Sequence, residues 1–330
     1  MASNLIKTSG SIFMGNPITY SVKAESEPVE GSVSFHRVKL RVTVSGKTYE
    51  LSTPAKSGET VEFDISSCLR AAADAYEYTP LEGGTVSYPT FVASIEARDV
   101  WLKDGVLIDP APLNGGKPTA QCTAVMGGLS DFERHKSLIL VSYSRKPHTG
   151  EEIVYVGDDV VVGTSLGETP QSAVRQILAS EAGKSLTLAD GHRVYVDSTP
   201  RNSMQFQFVN SRGVMESARA FQLESEKVSG HTEEHTISRL ERFTQFSRVF
   251  ARKSADRTEL TLSSGFVTYE WAVWWAYEFC ASSHAWIMYE GEWIPCTVAR
   301  DDSFTVIDRT KPGMCHVQFT CKPDLNGALW

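Results

Sequence analysis

The chain is expected to fold as a mainly β protein with a few helices, an α+β arrangement of β-sandwich or barrel-like domains. Three observations predict this. Apolar and polar residues alternate over many short runs. Gly, Asp and Asn turn signals separate those runs at intervals of about ten residues. Only two or three stretches carry helical spacing. Together these favour sandwiches and barrels decorated by helices over a doubly wound sheet.

Residues 33–44 open the pattern. Val38, Leu40, Val42 and Val44 fall on one face of a strand, with Arg37, Lys39 and Arg41 on the other. Ser45-Gly46 turns the chain into a return strand over 47–53. Val61, Phe63 and Ile65 face inward on the next strand, with Glu62 and Asp64 outward. The run from Asp64 to Ser67 offers a helix N-cap. Cys68, Leu69, Ala72 and Tyr76 then form one helical stripe, which Pro80 and Gly83-Gly84 end. Residues 88–108 read as a long strand, an Asp104-Gly105 turn and a short return strand. Residues 110–118 are the most loop-like stretch of the chain, and a domain boundary is placed just beyond it, near Gly127-Gly128. The chain is thus divided into 1–127, a β domain with one helix, and 128–330, a β-rich domain.

The second half repeats the β theme. Residues 129–136 fit a short helical turn, and 137–143, 152–156 and 159–162 are β-branched apolar runs. Residues 170–180 fit a short helix with Pro170 in its first turn. Asp190-Gly191, between 186–189 and 192–196, is the strongest two-residue hairpin signal in the chain. Met204, Phe206 and Phe208 line one strand face, Asn210-Ser211-Arg212-Gly213 reads as a turn, and 214–228 as the returning strand. Residues 232–252 admit two readings. Ile237, Leu240, Phe243, Phe246 and Phe250 make either a helical stripe or a strand rich in Phe and Thr, with strand favoured from Phe243 onward. The last strands are 286–289, 292–299, 303–307 and 314–321.

Five of the seven tryptophans lie within 268–298. Trp271, Trp274, Trp275 and Glu278 have the spacing of one helix face. Two strand-like runs follow, carrying Trp286 and Trp293 and joined by Glu290-Gly291. A helix leading into a hairpin is therefore expected, with these tryptophans as core or interface anchors. A helical aromatic stripe of this kind is more often core or the centre of a protein–protein interface than a platform on which glycans stack.

The 330 residues carry 32 Lys and Arg against 40 Asp and Glu, a net charge of −8, which argues against a general nucleic-acid binder. The opening MASNLIKTSGSIF has neither a charged n-region nor an apolar core and is not read as a secretory signal. No run of apolar residues is long enough for a transmembrane helix, so no membrane partner is expected. The six cysteines lack a paired framework and are expected as free thiols.

The sharpest enzymatic pattern is His231-Thr232-Glu233-Glu234-His235, an H-x-x-E-H in which two imidazoles hold zinc and the Glu acts as base. That chemistry needs a helix and a third carboxylate ligand. The preceding Ser229-Gly230 and the polar surroundings instead suggest a loop or hairpin tip, so no metal and no cofactor are expected. There is no G-x-S-x-G elbow and no phosphate loop. Arg37, Lys39 and Arg41 make a basic contact stripe for an acidic partner, or else pair across strands with Glu50, Glu62 or Asp64.

The C-terminal run resembles tail-tip structural proteins of tailed phages, the distal tail and baseplate ring proteins. The resemblance covers about the last third of the chain. Its residues are the turn Asn210–Gly213, the turn Ser264-Gly265 with the helix after it, and Ser283-His284-Ala285-Trp286 leading into a hairpin that ends in Trp293-Ile294-Pro295. The alternating strand Val317-Gln318-Phe319-Thr320 closes the pattern. The first domain is compatible with a ring-forming domain of that family. The resemblance implies a non-enzymatic virion component at the tail tip, assembled in the host cytoplasm. Its partners would be copies of itself in a closed ring, most simply six, and other tail or baseplate proteins. DNA would pass through the lumen without specific binding, which an acidic ring suits. The alternative from the residues is a carbohydrate-binding or adhesin-like β protein, and a more remote one is a zinc hydrolase built on the HTEEH pattern.

Overall fold

The computed structural model describes residues 5–8, 12–24, 33–74, 76–103, 106–108, 119–128, 143–164, 169–199, 203–229, 232–241, 244–253, 257–300 and 315–324. Most of them are in strands, as the alternation predicts. The first elements are β1 (Leu5–Lys7), β2 (Thr19–Lys23), β3 (Val33–Val44), β4 (Lys47–Pro54), β5 (Thr60–Asp64) and α1 (Ser66–Ala73). There follow β6 (Thr85–Ser87), β7 (Thr90–Lys103), β8 (Val106–Ile108) and β9 (Thr119–Val125). The middle of the chain gives β10 (Glu152–Tyr155), β11 (Asp159–Gly163), β12 (Gln171–Gln176), β13 (Ser185–Thr187) and β14 (Arg193–Asp197). The last part gives β15 (Ser203–Val209), β16 (Met215–Ser229), β17 (Thr232–Glu241), β18 (Thr244–Lys253), β19 (Arg257–Val267) and α2 (Tyr269–Trp274). A π-helical turn, Trp275–Phe279, then leads to β20 (Ala285–Tyr289), β21 (Glu292–Arg300) and β22 (Cys315–Pro323).

The first core lies between two sheets. One runs β4-β3-β7-β8 with β9 also on β7, and the other runs β1-β2-β5. Val38, Leu40, Val42 and Val44 are all buried, and so are Val61, Phe63 and Ile65, because each set occupies one face of a pleated strand. Two tight turns are of the mirror-image hairpin type. Ser45 and Gly46 have φ of 48° and 75°, and Glu290 and Gly291 have 52° and 90°, matching the right-handed twist of the strands they join. Helix α1 begins after Asp64, whose carboxylate accepts from the backbone N–H of Ser66 at 2.9 Å and of Ile18 at 3.1 Å. Cys68, Leu69 and Ala72 are its buried hydrophobic residues, while Tyr76 lies past its end and packs on the same core.

The last part closes on itself. Strands β15-β16-β19-β22-β21-β20 form a six-stranded antiparallel barrel in which β20 returns to β15 through Phe206↔Ile287. Phe206, Phe208, Leu260, Ile287, Val317 and Phe319 fill it. Helix α2 and its π turn supply Trp271, Trp274, Trp275 and Phe279 to the same core. Between these bodies sit two small sheets, β10-β14-β13 and β11-β12-β6, with a third core around Val154, Val160, Val162 and Val194.

The residues on either side of position 127 share structure. Strand β6 pairs with β12, and the first core takes in Tyr143, Val161, Val214, Met215 and Trp286. The outer wall of the barrel is also bonded to the first part. Gln207 accepts from the Leu81 N–H at 2.7 Å and donates to its carbonyl at 2.8 Å, and Tyr78 donates to the Gly213 carbonyl at 2.9 Å. Gly127 and Gly213 cross at backbone contact. A Cβ on Gly127 would stand 2.4 Å from the Arg212 carbonyl carbon.

Four expectations are corrected. Residues 170–180 do not form a helix. Gln171–Gln176 is a strand held between β11 and β6, followed by a short 3-10 turn, so ladder bonding on both sides overrides local propensity. The Asp190-Gly191 hairpin has a three-residue loop. Leu188 N–H donates to His192 and Gly191 N–H to Leu188, with Gly191 at φ 89°. The helical reading of 232–252 gives way to a hairpin of two strands, with strand beginning at Thr232 rather than at Phe243. The Trp-rich helix changes to π winding at Trp275. The readings of 110–118, 129–136, most of 137–143 and 303–307 lie outside the described residues. All six cysteines are free thiols. No helix among the described residues is long and apolar enough to cross a membrane.

Candidate functional site

The tryptophans separate into two groups. Trp271, Trp274 and Trp275 are 6%, 3% and 4% exposed and close the barrel core from one end. Trp275 stacks on Phe319 at 5.6 Å between ring centroids and meets Phe279 edge-on at 4.8 Å. Trp274 meets Phe208 edge-on at 5.5 Å. Trp286 and Trp293 instead pack from the barrel wall onto the first core. Trp286 is buried and Trp293 is half-buried. All five therefore bind the chain to itself, and glycan stacking, which needs an open ring face, finds no support in them.

Beneath α2 lies a buried polar network that the sequence did not reveal. Its centre is His192, fully buried. Its Nδ1 lies 2.7 Å from Asp190 Oδ1 and its Nε2 lies 3.2 Å from Glu152 Oε2. Lys146 Nζ donates to Glu152 at 2.6 Å and Ser144 Oγ to Asp190 at 2.6 Å. Arg145 reaches two further buried acids: its backbone N–H donates to Glu216 at 2.5 Å and its Nε to Glu278 at 3.1 Å. Glu216 also accepts from the Trp274 indole at 3.2 Å, and Glu278 from the Ser211 N–H at 2.9 Å. The π turn brings Glu278 into this set while the tryptophans of the same helix stay in the barrel.

The electrostatics follow from burial. Loss of water raises the carboxyls of both Glu216 and Glu278, the Arg145 and Lys146 contacts offsetting it only in part. Burial acts the same way on Asp190, but hydrogen bonding and charge from His192 outweigh it and hold that carboxyl down at about 2. Glu152 is likewise lowered, its burial overcome by Lys146 and His192. Burial would push His192 down, yet its bonds to Asp190 and Glu152 leave it raised. Both ring nitrogens of His192 are thus taken by carboxylates, and the residue is shut from solvent. This geometry locks the 143–146 segment between the small sheets and the barrel.

Within the basic stripe Arg41 is ion-paired. Arg41 lies 3.1 Å from Glu50 and 3.7 Å from Glu96 across the sheet, and Arg98 shares Glu50 at 3.1 Å. Arg37 donates to Ser52 at 3.3 Å, and Lys39 stands opposite Ser52 in the ladder. Glu62 and Asp64, the other expected partners, belong to the β1-β2-β5 sheet. The HTEEH pattern lies in neither a helix nor the expected loop or hairpin tip: Thr232 to His235 belong to strand β17, and His231 lies outside the described residues. In a strand, positions four apart stand about 13 Å from one another, too far for two imidazoles to share one zinc ion. Among the described residues there is no cluster of His, Cys, Asp and Glu suited to a metal ion.

A cleft of ≈ 670 Å³ opens between α1 and the end of the barrel, with Arg70, Asp74, Tyr76, Tyr78, Tyr277 and His284 along it. Tyr78 packs beside His284 at 5.4 Å while bonding to Gly213, so this wall serves the docking of the two bodies.

A long hairpin, β17–β18, lies between β16 and β19. Beyond Phe221, β16 pairs with β19 alone, out to Ser229↔Arg257. After two residues on one strand and three on the other, the pairing resumes at Thr232↔Lys253 and runs ten rungs to Glu241↔Thr244. At about 3.4 Å per residue this is a ribbon of roughly 30 Å. Among the described residues no third strand joins it. An isolated two-stranded ribbon is marginal in water, and both its outer edges leave backbone groups unpaired.

No family model, no curated protein and no solved structure matches the chain.

Proposed function

We propose that this protein is a non-enzymatic assembly component that forms a closed homo-oligomeric ring, most simply of six copies, as part of a phage tail tip. One observation carries the assembly part: the ten-rung β17–β18 ribbon, which no third strand joins among the described residues. A long element of this kind gains stability when other chains cover its edges. Edges offered in the same sense by every copy lead to rings or open filaments, according to whether the rotation closes. The burial of Trp271, Trp274, Trp275 and Trp286 supports this reading over glycan binding, since it leaves them no open ring face for a sugar. The tail-tip setting, with tube, hub and receptor-binding parts as neighbours, comes from the C-terminal sequence pattern.

The test is a deletion. A variant in which a short turn joins Ser229 directly to Arg257 retains every barrel strand. Its thermal midpoint is expected to stay near that of the parent, while the assembly seen by mass photometry and negative-stain imaging is lost. A ribbon-deleted protein that assembles as the parent does refutes the role of the ribbon.

A further inference from the structure

The two edges of the ribbon are chemically unlike. Strand β17 carries Glu233, Glu234 and Glu241 against Arg239, whereas β18 carries Arg248, Arg252 and Lys253 and no acid. The register adds position to this asymmetry. Glu233 stands opposite Arg252 and Glu234 opposite Ala251, while Lys253 sits opposite Thr232. The acidic pair of β17 and the basic pair of β18 thus occupy the same height, at the base of the ribbon next to the barrel.

Because β17 and β18 are antiparallel, the β18 edge of one copy meets the β17 edge of a level neighbour antiparallel. The rungs between copies then repeat those within a copy: Arg252 and Lys253 of one chain come beside Glu233 and Glu234 of the next. Each basic pair lies between two acidic pairs, its own and its neighbour's. Pairing β18 with β18 would set three cations against three, which is unfavourable. Resting on the ring reading above, we propose that copies of this chain join head to tail by adding the basic β18 edge of one ribbon to the acidic β17 edge of the next, in level register. The occupant of each edge is a second copy of this chain. The contact is heterologous, so repeated rotation closes it into an antiparallel β-barrel with two strands from each subunit.

The experiment reverses the charge at the base. In the fourfold variant Glu233→Lys, Glu234→Lys, Arg252→Glu, Lys253→Glu, the pairing within a ribbon is restored with opposite sign, but its edges repel those of the parent. It is expected to assemble with itself and to exclude the parent. Mixed rings, read by mass photometry after co-assembly with a parent carrying a mass tag, should fall at least about tenfold below the random share. As a second arm, the Arg252→Glu, Lys253→Glu variant and the Glu233→Lys, Glu234→Lys variant should each fail to assemble alone. An equal mixture should form rings, since acidic and basic ribbons then alternate. Random entry of the fourfold variant into parental rings overturns the edge pairing while leaving ring formation standing. So does a mixture that stays dispersed while the parent assembles. A parent that never forms rings, alone or on tails, removes the ring reading and this inference with it.

Discussion

At the scale of single residues, the aromatic core and the buried acids make opposite demands. Trp275 sits between Phe319 and Phe279 with almost no exposure. Truncating it leaves a void that the closed barrel cannot collapse, so Trp275→Ala is expected to cost about 3–5 kcal/mol in denaturant unfolding. Half-buried Trp293→Ala should cost less. The buried network predicts a pH dependence whose sign can be worked out. Glu216, Glu278 and His192 are all raised in the folded protein, so the folded state holds their protons more tightly than the unfolded chain. Stability from these groups therefore grows as pH falls through their folded values, and it fades as pH rises through that of His192. Asp190 and Glu152 are lowered, so their contribution is present above the ordinary carboxylate range and is lost only as pH falls through their folded values, about 2 for Asp190. The thermal midpoint is expected to rise on going from about pH 8 to about pH 5 and to drop below about pH 3. Glu216→Gln should lower the midpoint overall and flatten the rise. A rise of unchanged size in that variant would assign the effect to other groups.

At the scale of elements, local chemistry was legible wherever the chain decides its own conformation. The alternation in β3 and β5, the Ser45-Gly46 and Glu290-Gly291 turns and the start of α1 all depend on neighbours in sequence. Elements fixed by distant partners were not legible. Gln171–Gln176 is strand because β11 and β6 flank it, and the network around His192 draws residues from 144 to 278, with no short motif among them. In 232–252 the sequence allowed helix or strand, since Phe246 and Phe250 suit both, and the ladder opposite decided for strand. The close crossing of the 126–128 and 211–213 segments was equally invisible, although it can be tested. Gly127 and Gly157 have nearly the same φ, 90° and 91°, yet a Cβ meets Arg212 backbone at Gly127 and open space at Gly157. Gly157→Ala should cost about 1 kcal/mol, from backbone strain alone. Gly127→Ala should cost well over about 2 kcal/mol, because packed backbone must also move. Equal losses in the two variants would show that the crossing is loose.

At the scale of the whole molecule, the chain uses its tryptophans, its polar network and its glycine crossing to bind its bodies to one another. Among the described residues the β17–β18 ribbon has ten rungs and no third strand, and we propose that association completes its stability. We propose that like copies supply this completion in a closed ring at a tail tip, and a three-dimensional reconstruction of the assembled particle decides it. This chain is expected there as a closed ring around the tail axis, with each ribbon lying edge to edge between those of its two neighbours. A reconstruction that places the chain outside the tail and baseplate, or shows its ribbon in solvent touching no other copy, would contradict it.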